Sequence, residues 1–254
     1  MPVAHGANPA LDPDGFDLRM VPSAINWIFL SSLQILPPIT SQIVTLAPLP
    51  TMKRFKDEGT TGNATPLPFS AMLVGGVIWC MYGRLTDDMT IMIPNVTTIL
   101  FGIYYLVTFS RYRHPKTSLL LHVLGAIFVI VSVVSATFVL PHEDAVDMIG
   151  EVGSIQQVVM YSGPLMVIKT VIRDRNTSAM NAWFTVATFL SCSVWTLYGA
   201  AVTHDIYLWG PNVVGLFAAA VQLFLFLKYG LPPPPHVKEA DIIEGLPLKT
   251  VATE

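Results

Sequence analysis

The stretch from Ser191 to Gly215 reads SCSVWTLYGAAVTHDIYLWGPNVVG. It contains Trp-x-x-Tyr-Gly (Trp195, Tyr198, Gly199), a short polar link, and then Pro-Asn (Pro211, Asn212). The same grammar stands earlier in the chain: Trp79, Tyr82 and Gly83, a short link, then Pro94 and Asn95. Each copy lies where two long apolar segments meet, and each sets an amide side chain near the start of the second segment. Self-similarity of this kind marks an internal repeat, so the chain is read as two related halves.

Composition says what surrounds those halves. The chain is 52% hydrophobic and only 12% charged, with a mean hydropathy of +0.57. Soluble domains carry about twice that charge. Apolar runs of about 18 residues or more are long enough to cross a bilayer as helices. Seven such runs occur, near 24–47, 67–83, 89–109, 118–140, 149–170, 182–203 and 206–227. The chain therefore reads as a polytopic, all-α membrane protein whose surface faces the lipid bilayer.

The net charge of −3 conceals an asymmetry between the links. Lys53, Arg54 and Lys56 follow the first run, Arg111, Arg113 and Lys116 the third, and Lys169, Arg173 and Arg175 stand near the join of the fifth and sixth. Lys228, Lys238 and Lys249 follow the seventh. The alternate links are acidic, with Asp87 and Asp88, then Glu143, Asp144, Asp147 and Glu151. The positive-inside rule predicts an extracellular N-terminus and a cytosolic C-terminus. Residues 1–23 form a polar lead without the basic and apolar regions of a signal peptide. The tail 231–254 opens on Pro232–Pro235 and stays polar, so both ends are expected to be disordered. Cys80 and Cys192 fall inside apolar runs and read as small packing residues, with no metal spacing around them.

The repeat unit is three helices. Pro48 ends the first run, Pro68 opens the second, and Trp79 and Asn95 follow. In the second half Pro164 interrupts the fifth run, Asn181 stands where the copy of Pro68 is expected, and Trp195 and Asn212 follow. Two successive three-helix units would insert upside down to one another. The fourth run has no counterpart in either unit, and one extra crossing restores the orientation. The predicted layout is 24–110 as the first bundle, 111–143 as an inversion linker helix and 144–230 as the second bundle. Such parallel repeats, related by an axis along the membrane normal, place a substrate site at their interface near mid-membrane.

This pattern resembles the SWEET family of sugar transporters from about residue 24 to 230. The likeness is carried by APLPT (47–51), LPFSAMLVGGVIWCMYG (67–83), IPNVTTILFGIYY (93–105) and SGPLMVIKTVIRDRNTSAM (162–180). An asparagine amide offers two donors and an acceptor, which suits hydroxyls that donate and accept. Either asparagine alone reads equally well as a helix–helix hydrogen bond. The matched pair, Asn95 and Asn212, reads as substrate-binding, and it matches the family's asparagine pair. Trp79 and Trp195 offer flat faces to the C–H side of a sugar ring, although a single tryptophan also suits the membrane interface.

Other roles rest on the resemblance alone. It implies helix-breaking prolines at Pro48, Pro68 and Pro164, with Asn181 as a departure at the fourth position. It implies pocket-lining residues at Ser41 and Val44 before Pro48, and at Gln157 and Met160 before Pro164. Tyr82 and Asp205 are implied to form an extracellular gate. Pro37 and Pro38 lie within the first run, where the family pattern does not require prolines. Homo-oligomers are compatible with the resemblance.

No phosphate-cradling loop, metal cluster or intramembrane charge relay is evident. The expectation is an uncoupled, bidirectional facilitator of small sugars, probed best with monosaccharides such as glucose. It is not an enzyme, and it needs no cofactor, metal or nucleic acid. The alternatives are a carrier of another polar solute, such as the amino-acid carriers with Pro-Gln loops, or a seven-helix receptor. The chain has no Pro-Gln at the matching hinges, and its links are short for a receptor. The sequons at Asn63, Asn95 and Asn176 fall in links predicted to be cytosolic or in the membrane. None is expected to carry glycan. The plasma membrane is the expected location.

Overall fold

A computed structural model describes residues 23–115 and 117–231, with side chains from residue 31 onward apart from Pro164. The expectations for the lead, for the tail beyond 231 and for the Pro164 side chain lie outside the described residues. Eight helices follow one another: α1 (Ser23–Leu46), α2 (Leu49–Glu58), α3 (Leu67–Leu85), α4 (Met89–Tyr112), α5 (Leu120–Val139), α6 (His142–Asp174), α7 (Ala182–Ala201) and α8 (Ile206–Tyr229). Five of them (α4 to α8) are long and apolar enough to cross a membrane. On α5, Phe128 is 74% and Phe138 80% exposed. A water-facing surface rarely carries such a face, whereas lipid tails accept it.

The packing has two-fold character. In the first half α4 packs on both α1 and α3, and in the second half α8 packs on both α6 and α7. The halves meet through α1 against α7 and through α3 against α6. Exchanging α1 with α6, α3 with α7 and α4 with α8 maps each of these contacts onto another. Helix α5 lies against α3 and touches α6. This is a 3+1+3 arrangement of two three-helix bundles and a linker helix. The largest buried cluster joins Ile78, Trp79 and Tyr82 of α3 to Ile149 of α6 and Trp195 and Tyr198 of α7.

The glycine of each Trp-x-x-Tyr-Gly motif is where the chain turns back on itself. The N–H of Asp88 donates to the Gly83 carbonyl (2.8 Å), and the N–H of Asp205 donates to that of Gly199 (2.9 Å). The residue before each aspartate, Asp87 (φ 53°) or His204 (φ 52°), adopts the left-handed conformation. A Cβ on Gly83 would stand 2.8 Å from the Met92 backbone nitrogen, and one on Gly199 2.8 Å from that of Trp209. Glycine is needed in both because the next helix's backbone occupies the side-chain space.

Three expectations need correction. The basic link after the first run is helix α2, in which Met52 and Phe55 are fully buried against Phe69, Tyr105 and Phe109. Its polar face masked a helical pattern too short for a hydropathy window. Lys56 on that face donates to Tyr104 Oη (2.9 Å), which raises the lysine pKa above its ordinary value. The acidic link 143–151 is the opening of α6, which begins at His142 rather than near 149. At 33 residues α6 is about 50 Å long, against ~30 Å of hydrocarbon. Its charged turns extend past the apolar window that marked the fifth run.

The third correction concerns prolines. Pro68 stands in the first turn of α3, behind Pro66 at the cap, where a missing N–H costs no helix bond. Asn181, in the corresponding place, caps α7 by accepting the Phe184 N–H (3.1 Å). Both positions start a helix rather than bend one. Pro48 likewise lies at the α1–α2 joint, and Pro164 lies inside α6. Helix α1 continues through Pro37 and Pro38, with Thr40 Oγ1 donating to the Leu36 (3.1 Å) and Pro37 (3.0 Å) carbonyls.

Gly83→Ala is expected to destabilise the fold by about 1–3 kcal/mol through overpacking. Gly125→Ala in α5, where an added Cβ meets nothing within 4 Å, should be neutral or gain up to ~1 kcal/mol. Thermal unfolding of the purified variants in detergent compares the two; equal midpoints would contradict the close approach at Gly83.

Candidate functional site

A cavity of about 290 Å³ lies between the bundles. From the first bundle, Ser41, Val44, Trp79 and Asn95 line it. From the second come Gln157, Met160, Trp195 and Asn212. The eight residues named as pocket-lining from sequence thus share one cavity. No charged side chain lies on its wall among the described residues.

The Pro-Asn dipeptides set the amides in place. Pro94 and Pro211 sit inside the second turns of α4 and α8, where each removes a backbone donor. The Tyr207 carbonyl, left without its usual helix partner by Pro211, accepts from Ser154 Oγ (3.0 Å). One residue on, Asn95 Nδ2 donates to the Ile91 carbonyl and Asn212 Nδ2 to the Leu208 carbonyl, both at 2.8 Å. These bonds fix the two amides with their oxygens free of the backbone.

The environments of the pair nevertheless differ. Asn212 is 4% exposed, and its Oδ1 accepts from Gln157 Nε2 (3.1 Å). The same nitrogen donates to Tyr161 Oη (3.0 Å), which lies 3.2 Å from Cys192 Sγ. Asn95 is half-buried, and its Oδ1 has no partner among the described residues.

The tryptophans are held edge-on by their own motif tyrosines. Trp79 and Tyr82 lie 5.5 Å apart between ring centroids, and Trp195 and Tyr198 5.9 Å, both nearly perpendicular. Trp195 Nε1 donates across the interface to Ser41 Oγ (2.8 Å), which fixes the plane of the indole. Ser41 therefore orients a tryptophan as well as lining the cavity.

At the end of the cavity near the two links, two hydrogen bonds cross between the bundles. Tyr82 Oη donates to Asp205 Oδ2 (2.6 Å), and Tyr198 Oη donates to Asp88 Oδ2 (2.7 Å). The other oxygen of each carboxylate caps its own helix. Asp88 Oδ1 accepts from the Thr90 and Ile91 N–H groups, and Asp205 Oδ1 from that of Tyr207. One aspartate thus starts a helix of its own bundle and fastens a tyrosine of the other.

Residues 28–117 and 147–233 match the family model described as a sugar efflux transporter for intercellular exchange. The chain belongs to this family. It is 29% identical to the sugar transporter SWEET1 of Danio rerio over 75% of this chain and 89% of that one. It is 32% identical to the bidirectional sugar transporter SWEET7 of Arabidopsis thaliana, over 72% and 74% respectively. The structure of a eukaryotic SWEET transporter shares its fold, with a TM-score of 0.70 over 80% of this chain and 97% of that chain at 24% identity. The family is one of transporters, not of enzymes.

Within this SWEET chain, sequence reasoning missed several site residues. The Tyr198–Asp88 bond was readable, because Asp88 precedes Asn95 by the seven residues that separate Asp205 from Asn212. Cys192, read as a packing residue, lies on the cavity wall against Tyr161; Cys80 is buried away from it. Tyr161 itself fits because Gly215 leaves room for its ring, which a Cβ would strike at 2.3 Å. Gln156, next to the expected Gln157, crosses to the Ala71 carbonyl of α3 (3.2 Å). No local pattern separated Gln156, Tyr161 and Cys192 from ordinary helix packing.

A double-mutant cycle with Tyr198→Phe and Asp88→Asn tests the second crossed bond, since asparagine still caps the helix. The coupling in thermal stability is expected at about 1.5 kcal/mol, the scale of a hydrogen bond to a charged group. Strictly additive effects would contradict the contact.

Proposed function

We propose that this SWEET chain is a uniporter of small sugars, with monosaccharides such as glucose as its substrates, working by alternating access. The observation that carries the reading is the pair of asparagines, one from each repeat, presented to a single cavity. The cavity's volume of about 290 Å³ is at the small end of ligand pockets (~300–1,000 Å³), which favours a single sugar ring. The relatives, a sugar transporter and a bidirectional sugar transporter, support it. The uncharged wall favours uncoupled movement down a gradient, because a proton- or sodium-driven carrier needs an ionisable or anionic site.

In this reading the Tyr82–Asp205 and Tyr198–Asp88 bonds form the extracellular gate, fastened in the present state. Opening requires both tyrosines to leave their carboxylates while the opposite ends of the bundles close. Pro48, Pro68, Pro164 and Asn181 lie at or within the helices that must swing, and the joints at Pro48, Pro68 and Asn181 act as pivots. In this reading the basic links face the cytosol and the N-terminus lies on the opposite side of the membrane, with the plasma membrane as the expected location. Binding is weak, about millimolar, since tight binding to one state would slow exchange between the two.

Counterflow of labelled glucose into proteoliposomes tests the reading. The wild-type chain is expected to show saturable uptake, and Asn95→Ala and Asn212→Ala each to lower it at least about tenfold, as loss of hydrogen bonds in a buried polar site does. Uptake that survives both substitutions would contradict the paired site. Absence of flux for every sugar tried, from folded protein, would favour a carrier of another polar solute.

A further inference from the structure

The two repeats end differently on the side of the basic links. In α4 the exposed residues Leu100, Ile103, Tyr104 and Val107 recur at i, i+3, i+4 and i+7, so they form one stripe toward the lipid. Arg111 is exposed and continues that stripe one turn on. It stands about 33 Å along the helix from Met89, against ~30 Å of hydrocarbon. The stripe thus runs at the depth of the lipid tails and ends on a cation at the depth of the headgroups.

Helix α2 brings a second cation to the same place. Its Met52 and Phe55 are buried against Phe69 of α3 and Tyr105 and Phe109 of α4. That docking lets Lys56 reach over the Tyr104 ring (5.2 Å to the centroid) and donate to its hydroxyl (2.9 Å). The hydroxyl raises the lysine pKa, and Arg111 is near enough for its charge to act the other way. Lys56 and Arg111 are therefore like charges held as neighbours beside a lipid-facing phenol. Lys53 is exposed one turn back on α2. Asp57 and Glu58 follow on the same helix, yet among the described residues none of these cations is ion-paired. The ion pair that does form, Arg173–Asp174 (2.7 Å), lies in the second half.

The second repeat lacks this arrangement. Counted from the motif asparagine, Lys228 matches Arg111, but Val221 stands in the place of Tyr104. Lys228 lies over the ring of its own neighbour Tyr229 (5.2 Å). The link between α6 and α7 carries no helix that could dock a second cation there.

From this we propose that Lys56 and Arg111 form a binding site for one anionic phospholipid, its phosphate between the two cations and its acyl chains along the Leu100–Val107 stripe. Tyr104 is the positioning residue that holds Lys56 at the head of the stripe. Two neighbouring cations repel one another, and an anion shared between them is attracted by both. An acidic protein segment would meet the cations but not the apolar surface that continues from them; a phospholipid presents charge and chains in that order. On the orientation proposed above this is the cytosolic leaflet, where anionic lipids reside.

Native mass spectrometry of the detergent-purified full chain, titrated with dioleoylphosphatidylglycerol, reads the site. The wild-type chain should retain one such lipid in preference to dioleoylphosphatidylcholine, whose headgroup has no net charge. Lys56→Gln with Arg111→Gln should weaken retention about thirtyfold, roughly fivefold for each cation. Arg111→Gln alone alters one exposed side chain and should cost about fivefold, which keeps the question answerable if the double variant does not fold. Arg173→Gln, which removes a cation already matched by Asp174, should leave retention at the wild-type level. Equal retention by wild type and the Lys56 and Arg111 variants would overturn the site, as would equal retention of the two lipids. A loss in Arg173→Gln as large as in Arg111→Gln would reduce the effect to general charge attraction and overturn it too. Displacement of the lipid by inorganic phosphate would overturn the assignment to a lipid.

Discussion

Each of two carboxylates serves both bundles, and the arrangement of the halves depends on that sharing. Asp88 and Asp205 begin α4 and α8 with one oxygen and hold Tyr198 and Tyr82 with the other. A helix cap is a fixed point, because its geometry is set by the backbone N–H groups it satisfies. A tyrosine bonded to a cap is therefore bonded to the end of a rigid rod. The two rods belong to opposite bundles, so the crossed pair fastens the halves at one end and leaves the cavity below.

The same local grammar explains why the motifs look as they do. The motif tryptophan faces the cavity, the tyrosine three residues on reaches the other bundle, and the glycine after it admits the returning backbone. The short link then ends in an aspartate cap, and six residues later a proline precedes the asparagine. Each residue type answers a requirement at its own position: flat surface, long donor, no side chain, cap, missing N–H, amide. Two copies of that string, brought together by packing α1 on α7 and α3 on α6, make one cavity from two halves.

Much of this was legible in the chain. The number of long apolar runs, the unpaired fourth run and the recurrence of Trp-x-x-Tyr-Gly with Pro-Asn lead directly to the 3+1+3 layout. Of the eight cavity-lining residues, the repeat register aligned the asparagine and tryptophan pairs, and the resemblance supplied Ser41, Val44, Gln157 and Met160. Boundaries were less legible where polarity and helicity part company. Helix α2 is polar outside and buries only Met52 and Phe55, and α6 extends past the hydrocarbon on charged turns. The repeat also carried the second bond, for Tyr198 stands three residues after its tryptophan as Tyr82 does, and Asp88 seven before its asparagine as Asp205 does.

The central claim is that the two crossed tyrosine–aspartate bonds hold the bundles together at one end. It is tested most directly by the distance between spin labels at Thr86 and Ala201, two exposed positions beside the links. Pulsed electron–electron resonance would be run on chains with Cys80 and Cys192 replaced by alanine. With both tyrosines present, a short-distance population should dominate. With Tyr82→Phe and Tyr198→Phe together, a second, longer population should appear or grow several-fold at the expense of the first. A distribution unchanged by the paired substitution would contradict the account, because the bundles would then be held at that end by packing alone.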